Sequence, residues 1–314
     1  MFTLEKQKNI FRRFLLKALC LKIINIPLRF FAKLLSPILP KKFLSRIPIV
    51  GLIQIKLFSL PNKIYLHNDG NDHIASQLYW NGLDSYESET IKLFLELLKY
   101  SDTLFDIGAN TGLYSIIAAS VYPEKRIYAF EPIQEILKIL NRNISLNKIN
   151  NIKVIPQALA ENEGIGKIYI PEMGGNIPTS ASLLKDFRPS TKEIDLRTTT
   201  LDAFIQSHGI TSVDLIKIDT EGTEHKIFQG AKNTFQQNQP IIICEVLKGL
   251  TEKFLMPILK SQGYLYFWIT PEGLIQKKEI EGDPTYQNPN YLFITREKSE
   301  SILQKINIRK YYLK

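Results

Sequence analysis

The stretch from Asp102 to Pro132, DTLFDIGANTGLYSIIAASVYPEKRIYAFEP, leaves little choice of fold. LFDI is a short apolar run ending in a turn, which suits a buried strand. GANTG follows, with Gly108 and Gly112 at its two ends. The first glycine allows a tight turn, and the second lets backbone approach a ligand closely. LYSIIAASV is apolar almost all round, as a helix packed on a sheet must be, and Pro123 closes it. RIYAF is a second strand with Glu131 at its tip. An acidic residue roughly 20 positions past the glycine turn is placed to accept hydrogen bonds from ribose hydroxyls. The unit is therefore half of a nucleotide site at the carboxyl ends of the strands of an open α/β sheet.

The dinucleotide fingerprint G-x-G-x-x-G is not met. Asn110 stands where the middle glycine belongs, and the third glycine is absent from its place. Asp106 lies inside the first strand, two residues before Gly108. A carboxylate there would repel a pyrophosphate but can pair with the amino group of a methionine moiety. The pattern favours S-adenosylmethionine over NAD as cofactor. An NAD-linked oxidoreductase on the same fold is the alternative. A plain crossover with a glycine turn gives no reason for Asp106, Asn110 and Glu131.

A second stretch, VDLIKIDTEGTEHKIFQGA from Val213 to Ala231, reads as strand, acidic turn and helix. With DIGANTG at 106–112, AFEP at 129–132, Asn143 and Asn147 in NISLN, QALA at 157–160, TTTLDAF at 198–204 and KIDTEGTE at 217–224, the chain resembles the FkbM family of S-adenosylmethionine-dependent methyltransferases. The resemblance covers about residues 78 to 295. It implies a Rossmann-like class I methyltransferase fold: an α/β sheet of seven strands, the last antiparallel, with helices on both faces. It also implies O-methylation, often of sugars in natural-product or surface-glycan pathways. Ala158, or Gln157, would then border the adenine.

Asp219, Glu221 and Glu224 fall within six residues at the tip of the fourth strand, and His225 follows. The protein's task in methyl transfer is to align an acceptor oxygen and take its proton. Asp219 suits positioning, and Glu221, Glu224 or His225 are candidate bases. Glu224 and His225 also begin a helix, where a carboxylate complements the dipole. Asp219 and Glu245 end neighbouring strands, where oxygen ligands suit Mg²⁺; two carboxylates do not make a site, and no metal is assigned. Glu87, in the step Tyr86-Glu87, either faces the cofactor pocket or starts a helix. The Gly-, Pro- and Ser-rich segment Met173–Ser182 is a candidate substrate-facing flap.

The formal net charge of +9 is unevenly spread. From Lys6 to His67 there are 13 Lys or Arg and no Asp or Glu, leaving 27 basic against 30 acidic residues from Asn68 onward. The body is slightly acidic, which argues against a nucleic-acid partner. Three segments are expected: a basic amphipathic arm at 1–65, a methyltransferase domain at 66–296, and a basic tail at 297–314. The arm's longest uncharged run, Ile47 to Ile55, is far below the ~18 residues that span a bilayer. Residues 8–58 read either as helices on an anionic membrane surface or as an appendage packed on the domain, with Pro27, Pro37 and Pro40 breaking them into short pieces. Cys20 and Cys244 give no disulfide framework, which suits a reducing, cytoplasmic compartment, peripheral to the inner membrane face on the first reading of the arm. The acceptor is a small molecule or glycan; the sequence leaves the oligomeric state open. A cofactor-binding remnant acting as a membrane scaffold is the third functional reading.

Overall fold

The computed structural model describes residue 15 and residues 18–58, 60–171, 181–185 and 189–306. Described elements include helix α1 (Lys22–Leu34) and the antiparallel hairpin β1 (Val50–Lys56) and β2 (Lys63–Asp69). Helices α2 (His73–Asn81) and α3 (Ser88–Leu98) lead into β3 (Thr103–Ile107). There follow α4 (Leu113–Val121), β4 (Arg126–Phe130), α5 (Gln134–Leu146) and β5 (Ile152–Ile155). A small three-stranded sheet holds β6 (Ala158–Leu159), β7 (Gly164–Pro171) and β8 (Ser190–Thr199). The chain re-enters the main sheet through α6 (Leu201–Ser207), β9 (Leu215–Ile218), α7 (Glu224–Gln229), α8 (Lys232–Asn238), β10 (Ile241–Glu245), α9 (Glu252–Ser261), β11 (Tyr264–Thr270), β12 (Gly273–Lys277) and β13 (Asn290–Thr295).

The main sheet has eight strands in the order β12-β11-β13-β10-β9-β3-β4-β5. Strands β5, β4, β3, β9 and β10 are parallel, and β13 pairs antiparallel with β10 and β11. This is the class I methyltransferase arrangement of seven strands, with β12 added as an eighth at the edge. The extra strand turns back from β11 through Pro271 and Glu272, Thr270 pairing with Gly273. It is short and half polar, as an exposed edge strand can be, so its residues carry little strand signal.

Alternate residues of each strand feed opposite layers, as a pleat with period two requires. Leu104, Leu215, Ile243 and Leu292 pack under α3 and α4. Phe105, Ile216, Ile242 and Phe293 pack under α6, α7 and α9. The apolar positions of α3 at Ile91, Phe94, Leu95 and Leu98 are all buried.

The hairpin belongs to the first of these layers: Ile53, Ile55, Ile64 and Leu66 are buried in it. The boundary expected between residues 65 and 66 thus falls within β2. The outer edge of β2 meets no strand among the described residues. Asn147 instead takes the Tyr65 N–H at 2.8 Å and gives its amide to the Tyr65 carbonyl at 2.7 Å, while Asn143 takes the His67 N–H at 2.8 Å. Leu303 and Ile306, in the segment expected as a tail, are buried in the same layer; residues 307–314 lie outside the described residues.

Helix α1 is pinned by its polar inner face. The buried Asn25 amide donates to the carbonyls of Leu19 and Pro48, and Asn25 Oδ1 accepts from the Val50 N–H. Arg29 donates to the Val50 carbonyl and stacks on Tyr79. The helix runs through Pro27, contrary to expectation; the chain breaks at Leu21, where ψ is 127°. The anchors at Asn25 and Arg29 flank the proline and hold the turn that has lost one hydrogen bond. No helix among the described residues is long and apolar enough to cross a membrane.

Candidate active site

The tips of β3, β4 and β9 meet at the glycine turn. Gly108 has a φ of 82°, which favours glycine, and a β-carbon there would overlap the Asp219 carbonyl. The N–H groups of Gly108 and Ala109 donate to the Phe130 carbonyl at 3.1 and 2.9 Å. Asp219 N–H donates to the Ile107 carbonyl at 3.0 Å. The turn is therefore stitched to both neighbouring strands. Gly112 corrects its expected role: a β-carbon there would overlap Leu140, so this glycine lets α4 approach α5 rather than a ligand. Asn143 donates its amide to the Thr111 carbonyl at 2.9 Å and so ties this turn to β2.

Glu131 is 4% exposed at the tip of β4. Its Oε2 accepts from the Asn110 N–H at 3.1 Å and its Oε1 from the Ile133 N–H at 2.9 Å. Burial pushes its carboxyl up to about 7, against those two hydrogen bonds. Asn110, at a φ of 49°, folds its own side chain back onto the Thr111 N–H at 2.7 Å.

A cavity opens at these tips. Gly108, Asn110, Glu131, Gln157, Ala158, Asp219 and Glu221 line it. Phe130, Ile136, Ile168 and Leu183 make much of the wall apolar. Ala181, from the expected flap, also lines it, and Ser182 donates its hydroxyl to the Glu221 carbonyl at 2.7 Å. The rest of that flap, residues 173–180, lies outside the described residues.

Three further candidate residues face elsewhere. Asp106 accepts from the Ser115 N–H at 3.0 Å and from the Ser115 hydroxyl, so it braces the first turn of α4 instead of lining the cavity. Burial pushes its carboxyl up to about 6, opposed by Ser115 and Lys217. Glu224 is 0% exposed. Its Oε1 accepts from Thr220 N–H, Thr220 hydroxyl and Gly222 N–H at 3.0, 3.1 and 3.1 Å, closing the acidic turn on itself. A side chain so engaged is a brace, not an acceptor's base. His225 stacks on Phe254 with ring centroids 4.7 Å apart, also off the cavity. Of the four candidates in this turn, Asp219 and Glu221 reach the cavity.

The residue that sequence reasoning passed over is Lys217. It is 1% exposed, and its Nζ lies 3.2 Å from Asp219 Oδ2. Against the effect of burial, Asp219, Glu87 and Glu245 keep this lysine protonated, so a resident cation already answers the two carboxylates that end β9 and β10. The signal was present: a lysine within the apolar strand LIKI has to be buried with a partner.

The model of the FkbM methyltransferase domain matches residues 106–266, just over half of the chain. The chain belongs to the FkbM methyltransferase family. The matched span includes every residue that lines the cavity. S-adenosylmethionine is the cofactor this membership brings. The FkbM-family chain is 24% identical over 176 residues to the hexuronic acid methyltransferase AglP of Haloferax volcanii, covering 56% of this chain and 68% of that one. It is 23% identical over 174 residues to the 31-O-demethyl-FK506 methyltransferase FkbM of Streptomyces tacrolimicus, covering 48% and 66%. It spans 57–68% of the length of the curated relatives it matches. A crystal structure of methyltransferase FkbM from Methylobacillus flagellatus superposes with a TM-score of 0.41 at 17% identity, covering 62% of this chain and 43% of that one.

Proposed function

We propose that this protein is an O-methyltransferase that uses S-adenosylmethionine and acts on a sugar hydroxyl of a glycan or glycosylated natural product. The observation that carries the reading is one cavity lined together by Gly108, Glu131, Ala158 and Asp219. The donor, when bound, supplies a methyl group made electrophilic by its sulfonium. Glu131, already fixed by two backbone N–H groups, is placed to take the ribose hydroxyls. Ala158 and Gln157 border the adenine against the apolar wall. Asp219 holds the acceptor hydroxyl in line and receives its proton, and Glu221 stands beside it. Alignment of this kind supplies a large part of the rate in two-substrate reactions. The similarity to a hexuronic acid methyltransferase and to a 31-O-demethyl-FK506 methyltransferase supports a hydroxyl- or sugar-bearing acceptor.

Isothermal titration tests the donor: S-adenosylmethionine should bind and NAD should not. NAD binding alone would restore the oxidoreductase reading. Formation of S-adenosylhomocysteine separates an enzyme from a cofactor-binding scaffold. Mass spectrometry of surface glycans from a deletion strain would name the acceptor.

The arm supports a second part of the proposal, peripheral contact with an anionic membrane. Ile23, Ile26, Phe30 and Leu34 recur at helical spacing along α1 and are all exposed, Ile23 by 83%. The charge around them is wholly basic. An apolar stripe with basic flanks suits a helix lying in a lipid interface.

A further inference from the structure

Asp219 belongs to the donor cavity and also to a second, buried group of side chains. Lys217 Nζ, 3.2 Å from Asp219, lies 5.1 Å from the centre of the Tyr114 ring. Tyr114 donates its hydroxyl to Glu87, which sits at a left-handed φ of 43° and is also held towards its charged form by the Asn290 side chain. Glu245 stands opposite Asn290 across the β10–β13 ladder. Asn290 is 2% exposed, yet its Oδ1 takes no hydrogen bond among the described residues; neither does the buried Glu245 Oε2. Three carboxylates thus surround a single ammonium, and two buried acceptor atoms are left without donors. Such atoms are costly unless a ligand or proton answers them.

Resting on the methyltransferase reading above, we propose that this cluster exchanges a proton for the positive charge of the methyl donor. When the sulfonium arrives, the cluster loses a proton from Glu87 or Glu245. When methyl transfer leaves the sulfur neutral, the cluster takes a proton back. The balance closes within one turnover. The acceptor O–H bond breaks and its proton passes by way of Asp219 to the cluster. The oxygen's electron pair forms the bond to the methyl carbon, and the pair of the broken C–S bond returns to sulfur.

The surroundings of both carboxyls favour the exchange. Burial holds Glu87 above the ordinary carboxylate range, with Lys217 opposing and Asp219 adding to it. Burial also raises Glu245, helped by Asp219, Glu221 and Glu224 and opposed by Lys217. Tyr86 faces the same charges, and burial with Glu87 keeps its hydroxyl protonated. Neither carboxyl lines the cavity; both feel the charge of Asp219, which does, and a cation added next to Asp219 draws protons off the carboxyls around it.

Isothermal titration of the full chain in two buffers of different ionisation enthalpy counts protons released per ligand bound. S-adenosylmethionine and S-adenosylhomocysteine share every group except the sulfonium methyl, so their difference isolates its charge. Near pH 7, S-adenosylmethionine should release up to about one proton more than S-adenosylhomocysteine. In Glu245→Gln that difference should shrink, and preference for the cationic ligand should fall roughly tenfold. Glu87→Gln provides a second variant. Equal proton counts for the two ligands in the unmodified protein overturn the proposal without help from any variant. Failure of both ligands to bind would instead sink the methyltransferase reading beneath it.

Discussion

Gly108 and Asp219 are fitted backbone to backbone: a β-carbon on the glycine would occupy the place of the Asp219 carbonyl oxygen. The glycine turn and the acidic turn are therefore one structure, and neither moves alone. Gly108→Ala should destabilise the fold by more than about 2 kcal/mol, since it adds strain at positive φ to a clash with main chain. Urea unfolding measures this. A variant of unchanged stability that merely binds the donor less well would mean that the glycine serves the ligand and not the junction.

Glu131 should leave a mark on the pH dependence of stability. Its carboxyl is raised from an ordinary 4.5 to about 7 in the folded chain. The folded state then binds a proton more readily than the unfolded state. The stability this contributes is full below pH 4.5 and is lost as pH rises through about 7, roughly 3 kcal/mol at most. Glu131→Gln should flatten that slope in the ligand-free protein. It should also weaken S-adenosylmethionine binding by about 1–3 kcal/mol, through lost charged hydrogen bonds to ribose. A variant with the original slope and affinity would take Glu131 out of both arguments.

Asp219 and Glu224 should separate cleanly although both were legible as acids of one turn. Asp219→Asn should cut formation of S-adenosylhomocysteine far more than donor affinity, because the residue faces the acceptor's proton. Glu224→Ala should instead lower stability by about 1–3 kcal/mol, because three donors of the turn lose their shared acceptor. Unfolding curves and steady-state rates on the two variants decide it; a stable, slow Glu224→Ala would return that residue to the chemistry.

The parallel half of the sheet could be read from residues because its strands are short apolar runs ending in turns, all but β5 followed by an amphipathic or apolar helix. The antiparallel β13 came from family resemblance. Side-chain direction was less accessible. Asp106 and Glu224 have the residue type of a ligand group, but each finds backbone N–H donors within its own neighbourhood and turns to them. Gly112 was legible as a constrained position, while the cause, Leu140 of α5, is distant in sequence. The Asn143–Asn147 pair stood out as a motif, and only the fold reveals that it replaces a missing strand beside β2. Lys217 lacked any local partner except Asp219, so its cluster with Glu87, Tyr114 and Glu245 required three further segments to be brought together.

The arm makes the last test, and its structure decides which variant to use. Deleting everything before residue 60 would remove β1 with its buried Ile53 and Ile55, so the remaining chain should not fold. Point changes on α1 avoid this. Phe30 is 68% exposed and Ile23 83%, so Ile23→Glu with Phe30→Glu should leave the fold intact. The unmodified protein should co-sediment with phosphatidylglycerol vesicles at low salt and be released as salt screens the charges. Surface basic residues contribute on the order of 1 kcal/mol each toward such a surface, and inserted apolar side chains add to that. The double variant should remain in the supernatant while still binding S-adenosylmethionine. Asn25→Ala should behave differently, losing stability because it frees the Val50 N–H and the Pro48 carbonyl. Equal sedimentation of the double variant would refute membrane contact through this face. A dimer in solution that the same double variant dissolves, with no vesicle binding by the unmodified protein, would assign the stripe to a second copy of the chain.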